Sequence, residues 1–197
     1  VITPNGEKIL DVKKNNLHLL NYSIPFSGTL SLDELDQHLY SISEIPDAVP
    51  YVTSYYKPKW GFCLSQNQRN KLKKGNYKII IDTALIDGSL TISDLIIKGE
   101  SKKEILIHTY TCHPSLANNE LSGPLVMLGL FEKIKKWNNR RFNYYFLINP
   151  ETIGSLCFLY DYKNILKRNL DGGLVLTCLG GPKKKLSYKK SKKLFVF

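Results

Sequence analysis

In the second half of the chain, short apolar runs are followed by segments with apolar residues at helical spacing, which predicts strands and helices in succession. The runs 104–110 (EILIHTY), 142–149 (FNYYFLIN) and 173–179 (GLVLTCL) are short and apolar, as buried strands are. Between them, residues 121–137 and 154–169 carry apolar side chains at helical spacing. This β-α-β-α-β order with short connections predicts the α/β class, with a mostly parallel sheet and flanking helices.

The first half predicts shorter elements. Ser31 and Glu34 have the spacing of a capping box, in which each side chain bonds the backbone amide of the other residue, so a helix is expected to follow. The runs 77–83 and 90–98 are rich in strand-forming residues, and the Asp-Gly pair between them predicts a turn. This middle region of the chain is therefore predicted to form a small β-rich subdomain.

Composition excludes several classes of protein. The chain has 197 residues, of which 43% are hydrophobic and 11% aromatic, too many apolar side chains for a disordered chain. Its longest apolar stretch, residues 123–131, is far shorter than the roughly 20 residues that cross a bilayer, so no membrane partner is expected. No signal peptide is recognisable in residues 1–20, and the four cysteines form no C-x-x-C pair, which predicts reduced thiols and a cytoplasmic location.

The net charge of +11 raises nucleic acid as a partner, but the distribution of lysines favours another interpretation. Seven lysines and no acidic residue lie in residues 183–193 (KKKLSYKKSKK), within a predicted basic tail over 183–197. Blocks of like charge usually repel and stay solvated, and only one aromatic residue is interleaved with these lysines. No nucleic-acid partner is therefore expected; the alternative, phosphate contacts through this run, predicts steeply salt-dependent binding.

Candidate chemistry lies in two loops that follow predicted strands. Residues 111–120 (TCHPSLANNE) deliver His113 and Glu120, and residues 150–152 (PET) deliver Glu151. Because the carboxyl ends of parallel strands meet at one edge of a sheet, these three groups are expected to converge. An imidazole with carboxylates is a donor set that zinc accepts, so a divalent metal site is predicted there.

Each of these residues also has a simpler interpretation. His113 fits a loop histidine bonded to backbone, and Glu120 fits an acid favoured by the helix dipole. Cys112, beside His113, raises the alternative of a thiol nucleophile. The aromatic stretch 51–62 fits either a pocket rim or a loop over the core. The candidate substrate contacts are Tyr55, Trp60, Asn118 and Asn119.

Three separated motifs carry a resemblance to a known family. Residues 111–124 (TCHPSLANNELSGP), 150–155 (PETIGS) and 50–65 (PYVTSYYKPKWGFCLS) resemble bacterial aminopeptidase-like proteins associated with polysaccharide-biosynthesis clusters. The catalytic region of that family is similar to zinc aminopeptidases and to glutaminyl cyclases. The resemblance implies an α/β peptidase-like core with a β-rich insertion. The implied segments are 1–24 for the first part of the core, 25–99 for the insertion, 100–182 for the rest of the core and 183–197 for the basic tail.

The resemblance also implies residue roles. His113 matches a metal ligand, and Glu151 matches the general base. Asn119 takes the place of the metal-bridging Asp, with Glu120 one residue later as the available carboxylate. Thr152 stands where the second carboxylate of the family is expected.

The Asp ligand expected after the third strand falls near Thr177 or Cys178, neither of which is a carboxylate. One zinc ion, partially occupied, is therefore expected rather than two. The resemblance further implies that the chain is an internal piece of a protein about twice as long.

Two functions follow as hypotheses. The first is a zinc-dependent aminopeptidase-like hydrolase that acts on a peptide, an amino-acid amide or an amino-sugar-like substrate, with Glu151 as base. The alternative is a catalytically inactive module of the same fold that binds such a ligand. The missing carboxylates favour the second hypothesis, and the surviving His113, Glu120 and Glu151 favour the first.

Overall fold

The computed structural model of the chain describes residues 1–113, 116–181 and 185–190. These residues form two compact units, Val1–Gly88 and Ser89–Phe197. The boundary lies at Gly88, whereas the sequence places one after residue 99. The assignment of 25–99 as an insertion concerns the arrangement of a longer protein and stays a prediction. Most of the predicted basic tail, 183–184 and 191–197, lies outside the described residues.

The first unit consists of short elements. After a 3₁₀ turn at Asn16–His18 its elements are β1 (Phe26–Ser31), α1 (Leu32–Asp36), β2 (Leu39–Tyr40), β3 (Phe62–Cys63), α2 (Gln66–Arg69) and β4 (Asn76–Ile81). The strands pair as an antiparallel ribbon of β1 with β4 and a short parallel pair of β2 with β3.

Local sequence determines where these elements begin. The predicted capping box is confirmed, because the Ser31 hydroxyl accepts from the amide of Glu34 and the Glu34 carboxylate accepts from the amide of Ser31. Along β4 every second side chain is buried, so one face of the ribbon of β1 and β4 packs on the core.

The core of the first unit is closed around apolar side chains. Leu35, Leu64 and Ile79 have no exposed surface. The Trp60 indole stacks on the His38 ring at 3.6 Å and on Phe26 at 4.2 Å between ring centroids, and it is 8% exposed. This aromatic stack fixes the otherwise irregular segment before β3.

The second unit contains a four-stranded sheet with helices. Its elements are β5 (Ser93–Ile97), β6 (Glu104–Tyr110), α3 (Ala117–Glu120), α4 (Ser122–Lys135), β7 (Asn143–Asn149), α5 (Ile153–Asn169) and β8 (Leu170–Val175). The strand order in the sheet is β5-β7-β6-β8; β6 lies parallel to both β7 and β8, whereas β5 pairs antiparallel with β7.

The predicted α/β class is confirmed, but a mostly parallel sheet is not: the sheet of the second unit is mixed, and the ribbon of β1 and β4 is antiparallel. The turn predicted between 77–83 and 90–98 also does not make a hairpin, because the two strands pair elsewhere: β4 pairs with β1, and β5 pairs with β7. An antiparallel edge strand on an otherwise parallel sheet needs no helical crossover.

Side chains on both faces of the sheet pack against helices. Phe146 clusters with Met127 and Ile134 of α4. Its neighbours on the opposite face, Tyr145 and Leu147, cluster with residues of α5. The two helices therefore cover opposite faces, as the alternation of side chains along β7 requires.

The outward faces of these helices remain apolar. Leu125 and Leu128 of α4 are more than half exposed, as are Leu156 and Tyr160 of α5. No helix in the described part of the chain is long and apolar enough to cross a membrane.

Candidate active site

Three loops meet at the carboxyl edge of the sheet in the second unit. β6, β7 and β8 run parallel, so the residues after Tyr110, Asn149 and Val175 leave the sheet at the same edge. The side chain of Thr109 donates to the carbonyl of Leu176 at 2.9 Å, which ties the first loop to the third.

A glycine allows α4 to approach this edge closely. A Cβ atom at Gly123 would collide with the Thr109 hydroxyl and with the carbonyl oxygen of Leu176. Glycine is therefore required at position 123 for packing, because only a residue without a Cβ atom lets α4 begin against the strand ends.

The three groups that were expected to converge are found together. His113 Nδ1 lies 2.7 Å from Glu120 Oε1, and His113 Nε2 lies 3.7 Å from Glu151 Oε2. The imidazole thus sits between two carboxylates, one on each ring nitrogen. The arrangement is confirmed; the roles assigned to the three residues stay predictions.

Glu120 is the buried member of this group. The residue is 5% exposed, and its second oxygen accepts a hydrogen bond from the backbone amide of Cys112. Both carboxylate oxygens therefore bond the loop that carries His113. A carboxylate on Nδ1 favours the tautomer with the proton on that nitrogen, in which Nε2 is the ring nitrogen that carries the lone pair.

Glu151 reaches the site through a strained turn. Thr152 has φ 60° and ψ −74°, and the amide of Ile153 donates to the carbonyl of Glu151 at 2.7 Å, which is a γ-turn with left-handed φ at a β-branched residue. Strain of this kind costs about 1–3 kcal/mol and is found mostly where the chain must place a functional group. The Glu151 side chain is 47% exposed, so the carboxylate is open to solvent and to a ligand.

Cys112 is a fourth member that the ligand prediction did not include. Its Sγ lies 3.5 Å from His113 Nδ1 and 4.0 Å from Nε2, and it accepts from the amide of Glu151 at 3.2 Å. Burial, together with the carboxylates of Glu120 and Glu151, raises the pKa of this thiol. A raised pKa disfavours the free thiolate that the nucleophile alternative needs, and that alternative stays a prediction.

The donor atoms of Cys112, His113 and Glu151 all lie within 4.8 Å of one another, which makes these three a group that could hold a metal ion. Position next to His113 is the signal in the sequence that points to Cys112; the hydrogen bond from the Glu151 amide has no such signal.

The two asparagines predicted to contact substrate, Asn118 and Asn119, form hydrogen bonds that connect the loops. Asn118 Oδ1 accepts from the amide of Gly180 at 2.7 Å, and Asn119 Oδ1 accepts from the Tyr110 hydroxyl at 2.7 Å. The same hydroxyl lies 2.5 Å from Thr177 Oγ1, and burial raises the pKa of Tyr110. Both asparagine oxygens thus have partners within the protein; substrate contact by these residues stays a prediction.

Tyr55 and Trp60 lie in the first unit. Trp60 belongs to its core, and Tyr55 is half exposed, with its ring against Tyr22 at 4.9 Å between centroids. Their assignment as substrate contacts stays a prediction. In the second unit an open cleft of about 480 Å³ lies beside Cys112, His113 and Glu120, with Leu116 and Leu121 on its wall.

Comparisons with known proteins fit this picture. A family described as "Domain of unknown function (DUF2172)" matches residues 1–84. The chain is 45% identical over 187 residues to a protein of Clostridium acetobutylicum described as "Putative polysaccharide biosynthesis protein with aminopeptidase-like domain". That match covers 95% of this chain and 42% of the relative.

A crystal structure of a "putative peptidase" from the same organism superposes with a TM-score of 0.86 and 43% identity, and covers 92% of this chain and 42% of that one. The chain therefore spans less than half the length of either relative. Over the shared part, these matches confirm the resemblance to bacterial aminopeptidase-like proteins that the loop motifs carry.

Proposed function

We propose that this chain carries the active site of a metal-dependent, aminopeptidase-like hydrolase that cleaves a peptide or amide bond, with zinc as the metal. The observation that carries the proposal is the His113 imidazole held between a buried carboxylate and an exposed one. The descriptions of the relatives as a peptidase and as an aminopeptidase-like protein support a peptidase-like function.

The groups around His113 fit one zinc ion. His113 Nε2 is the nitrogen that would hold the ion, since imidazole nitrogen is a preferred zinc donor. The Glu151 carboxylate lies 3.7 Å from this nitrogen, close enough to take a proton from a water beside the metal. An imidazole ligand also favours zinc, because magnesium prefers sites made of oxygen ligands.

Each residue of the group has a distinct task in the proposed reaction. Zinc held by His113 would polarise the amide carbonyl and lower the pKa of a water beside it. The exposed Glu151 carboxylate accepts a proton from the attacking water and later donates it to the leaving amine. Glu120 holds His113 in the tautomer that presents Nε2.

Glu120 is proposed here as a positioning residue rather than a metal ligand. The sequence assigns it to the metal, but its two oxygens already bond His113 Nδ1 and the amide of Cys112. The substrate proposed from the family is a small peptide, an amino-acid amide or an amino-sugar-like amide, and the relative's description adds a link to polysaccharide biosynthesis.

Glu151→Gln tests the proposed base. Because Gln cannot accept a proton, hydrolysis of amino-acid amides should fall by about 10²–10⁴-fold while the zinc content per chain stays that of the wild type. Glu132→Gln, which changes an exposed acid of α4, is the matched control and should leave both unchanged. Wild-type zinc-loaded chain without hydrolysis, or full activity in Glu151→Gln, would contradict the proposal.

A non-catalytic binding module is the second candidate, because Asn119, Thr152 and Thr177 stand where the family resemblance implies carboxylates. It predicts that the metal-free chain binds small peptides or amino sugars and that zinc adds no turnover. Calorimetric titration of metal-free and zinc-loaded chain with the same ligands, followed by an assay for free amine, separates the two functions.

A further inference from the structure

We propose that the Cys112 sulfur is a direct metal ligand beside His113, so that the site belongs to the thiolate-containing class. This inference rests on the proposed metal-dependent function and goes beyond it, because the family resemblance assigns no ligand role to a cysteine. On binding, the thiol loses its proton to the buffer, and the sulfur donates an electron pair to the metal.

The geometry of the loop carries this inference. Zinc bonds thiolate sulfur at about 2.3 Å and imidazole nitrogen at about 2.0 Å, so two such donors on one ion lie no more than about 4.3–4.4 Å apart. Cys112 Sγ and His113 Nε2 meet this limit at 4.0 Å. The sulfur lies closer to Nδ1, at 3.5 Å, so a rotation of the Cys112 side chain would bring it to a metal held on Nε2.

The surroundings of the sulfur fit a ligand. The amide of Glu151 donates to Cys112 Sγ at 3.2 Å, and a backbone donor of this kind stabilises a sulfur that carries negative charge. The thiol is partly shielded by the loops around it but faces the cleft that His113 lines. Glu120, by contrast, bonds the loop with both oxygens, one to the Cys112 amide and one to His113 Nδ1. We therefore assign the second metal ligand to the Cys112 sulfur rather than to Glu120.

The other described cysteines do not share this position. Cys178 Sγ contacts Asn119 Oδ1 at 3.4 Å and Thr177 Oγ1 at 3.5 Å, Cys157 lies on α5, and Cys63 is buried in the first unit. In the described part of the chain, one group combines cysteine, histidine and carboxylate donors within 4.8 Å of one another: Cys112, His113 and Glu151.

A sulfur ligand changes which metals the site selects. Thiolate and imidazole favour zinc, cobalt and cadmium, whereas a site made of carboxylates alone would also accept magnesium and manganese. The chain should therefore bind cobalt in the presence of a large excess of magnesium.

Cobalt(II) titration of the metal-free chain tests the inference. Wild type should show a thiolate-to-cobalt charge-transfer band in the near ultraviolet, with one cobalt per chain. Cys112→Ser should lose this band and bind cobalt at least about 10-fold more weakly. Loss of an outer-sphere partner of a metal ligand already lowers metal affinity by about 10–100-fold, and loss of a ligand itself should cost no less. Cys157→Ser, an exposed cysteine on α5, is the matched control and should titrate as the wild type does.

A second measurement uses the wild-type fold alone. Zinc should protect Cys112 from alkylation by iodoacetamide, while Cys157 and Cys178 react with and without zinc. One cobalt per chain without the band, or no protection of Cys112, overturns the sulfur ligand and leaves the proposed function in place. Absence of any zinc or cobalt binding by the wild type overturns both.

Discussion

The two units of the chain bury different kinds of side chain. Six of the eight largest fully buried side chains among the described residues lie in the first unit, with Leu20, Leu35 and Ile79 among them. The two in the second unit, Thr109 and Asn149, are polar and lie near the carboxyl ends of β6 and β7. The first unit is organised around an apolar core, whereas the most buried positions of the second unit hold polar groups at the edge of the sheet where the proposed site lies.

The helices of the two units differ as well. On α4 and α5 the outward faces carry leucines and a tyrosine in solvent, whereas the helices of the first unit are short and capped by polar side chains. A change in the closed core of the first unit should therefore cost the most stability, and a change at the strand ends of the second unit should act mainly on the proposed metal site. Four substitutions or conditions test this contrast, from the largest expected effect to the smallest.

Trp60→Ala should have the largest effect. Removal of an indole stacked between His38 and Phe26 leaves a cavity in the closed core, and loss of this kind costs about 3–5 kcal/mol of unfolding free energy. Urea unfolding followed by circular dichroism measures it. Tyr56→Ala, at a side chain that is 96% exposed, is the control and should change stability by no more than about 0.5 kcal/mol. Equal losses of unfolding free energy in the two variants would contradict a closed apolar core around Trp60.

High pH should act on the first unit through the Cys63 thiol, in addition to its effect on Tyr110 and Tyr145 of the second unit, whose pKa values are raised by burial. Burial raises the pKa of the Cys63 thiol from 9.0 to about 11, so the folded state keeps a proton that the unfolded chain releases. The unfolding free energy is unaffected by this group below pH 9 and falls as the pH rises from 9 to about 11, by about 2–3 kcal/mol in total. Cys63→Ala should flatten this slope in urea unfolding at a series of pH values; an unchanged slope would show that other groups cause it.

Glu120→Gln probes the second unit. The amide cannot satisfy both His113 Nδ1 and the Cys112 amide, so zinc affinity should fall by about 10–100-fold, or roughly 1.4–2.8 kcal/mol. Competition with a coloured chelator measures the affinity. Complete loss of stoichiometric zinc would instead assign Glu120 to the metal itself, as the sequence alone suggests.

Leu156→Gln should have the smallest effect. The side chain is 62% exposed and Gln is nearly as good a helix former as Leu, so unfolding free energy should change by no more than about 0.5 kcal/mol. Leu166→Gln, at a buried position of the same helix, should cost about 2 kcal/mol or more. A large loss at Leu156 would mean that the outward face of α5 is already packed within this chain.

Much of the site could be predicted from sequence because strand ends are local signals. The apolar runs before His113 and Glu151 indicate two strands, and parallel pairing brings their ends together. The pairing of β5 with β7 could not be predicted, since register between distant strands depends on contacts that no local pattern encodes. The same holds for the hydrogen bond from Glu151 to Cys112, which joins residues 39 positions apart.

One consequence follows from β8, the last strand of the four-stranded sheet. Among the described residues β8 has a strand partner on one side, β6, and its Leu174 and Val175 are exposed. An edge strand of this kind is a template for pairing. A further strand that joined β8 in the parallel sense would deliver its following loop to the rim where Cys112 and His113 lie, and the composition of the proposed metal site would then depend on that strand.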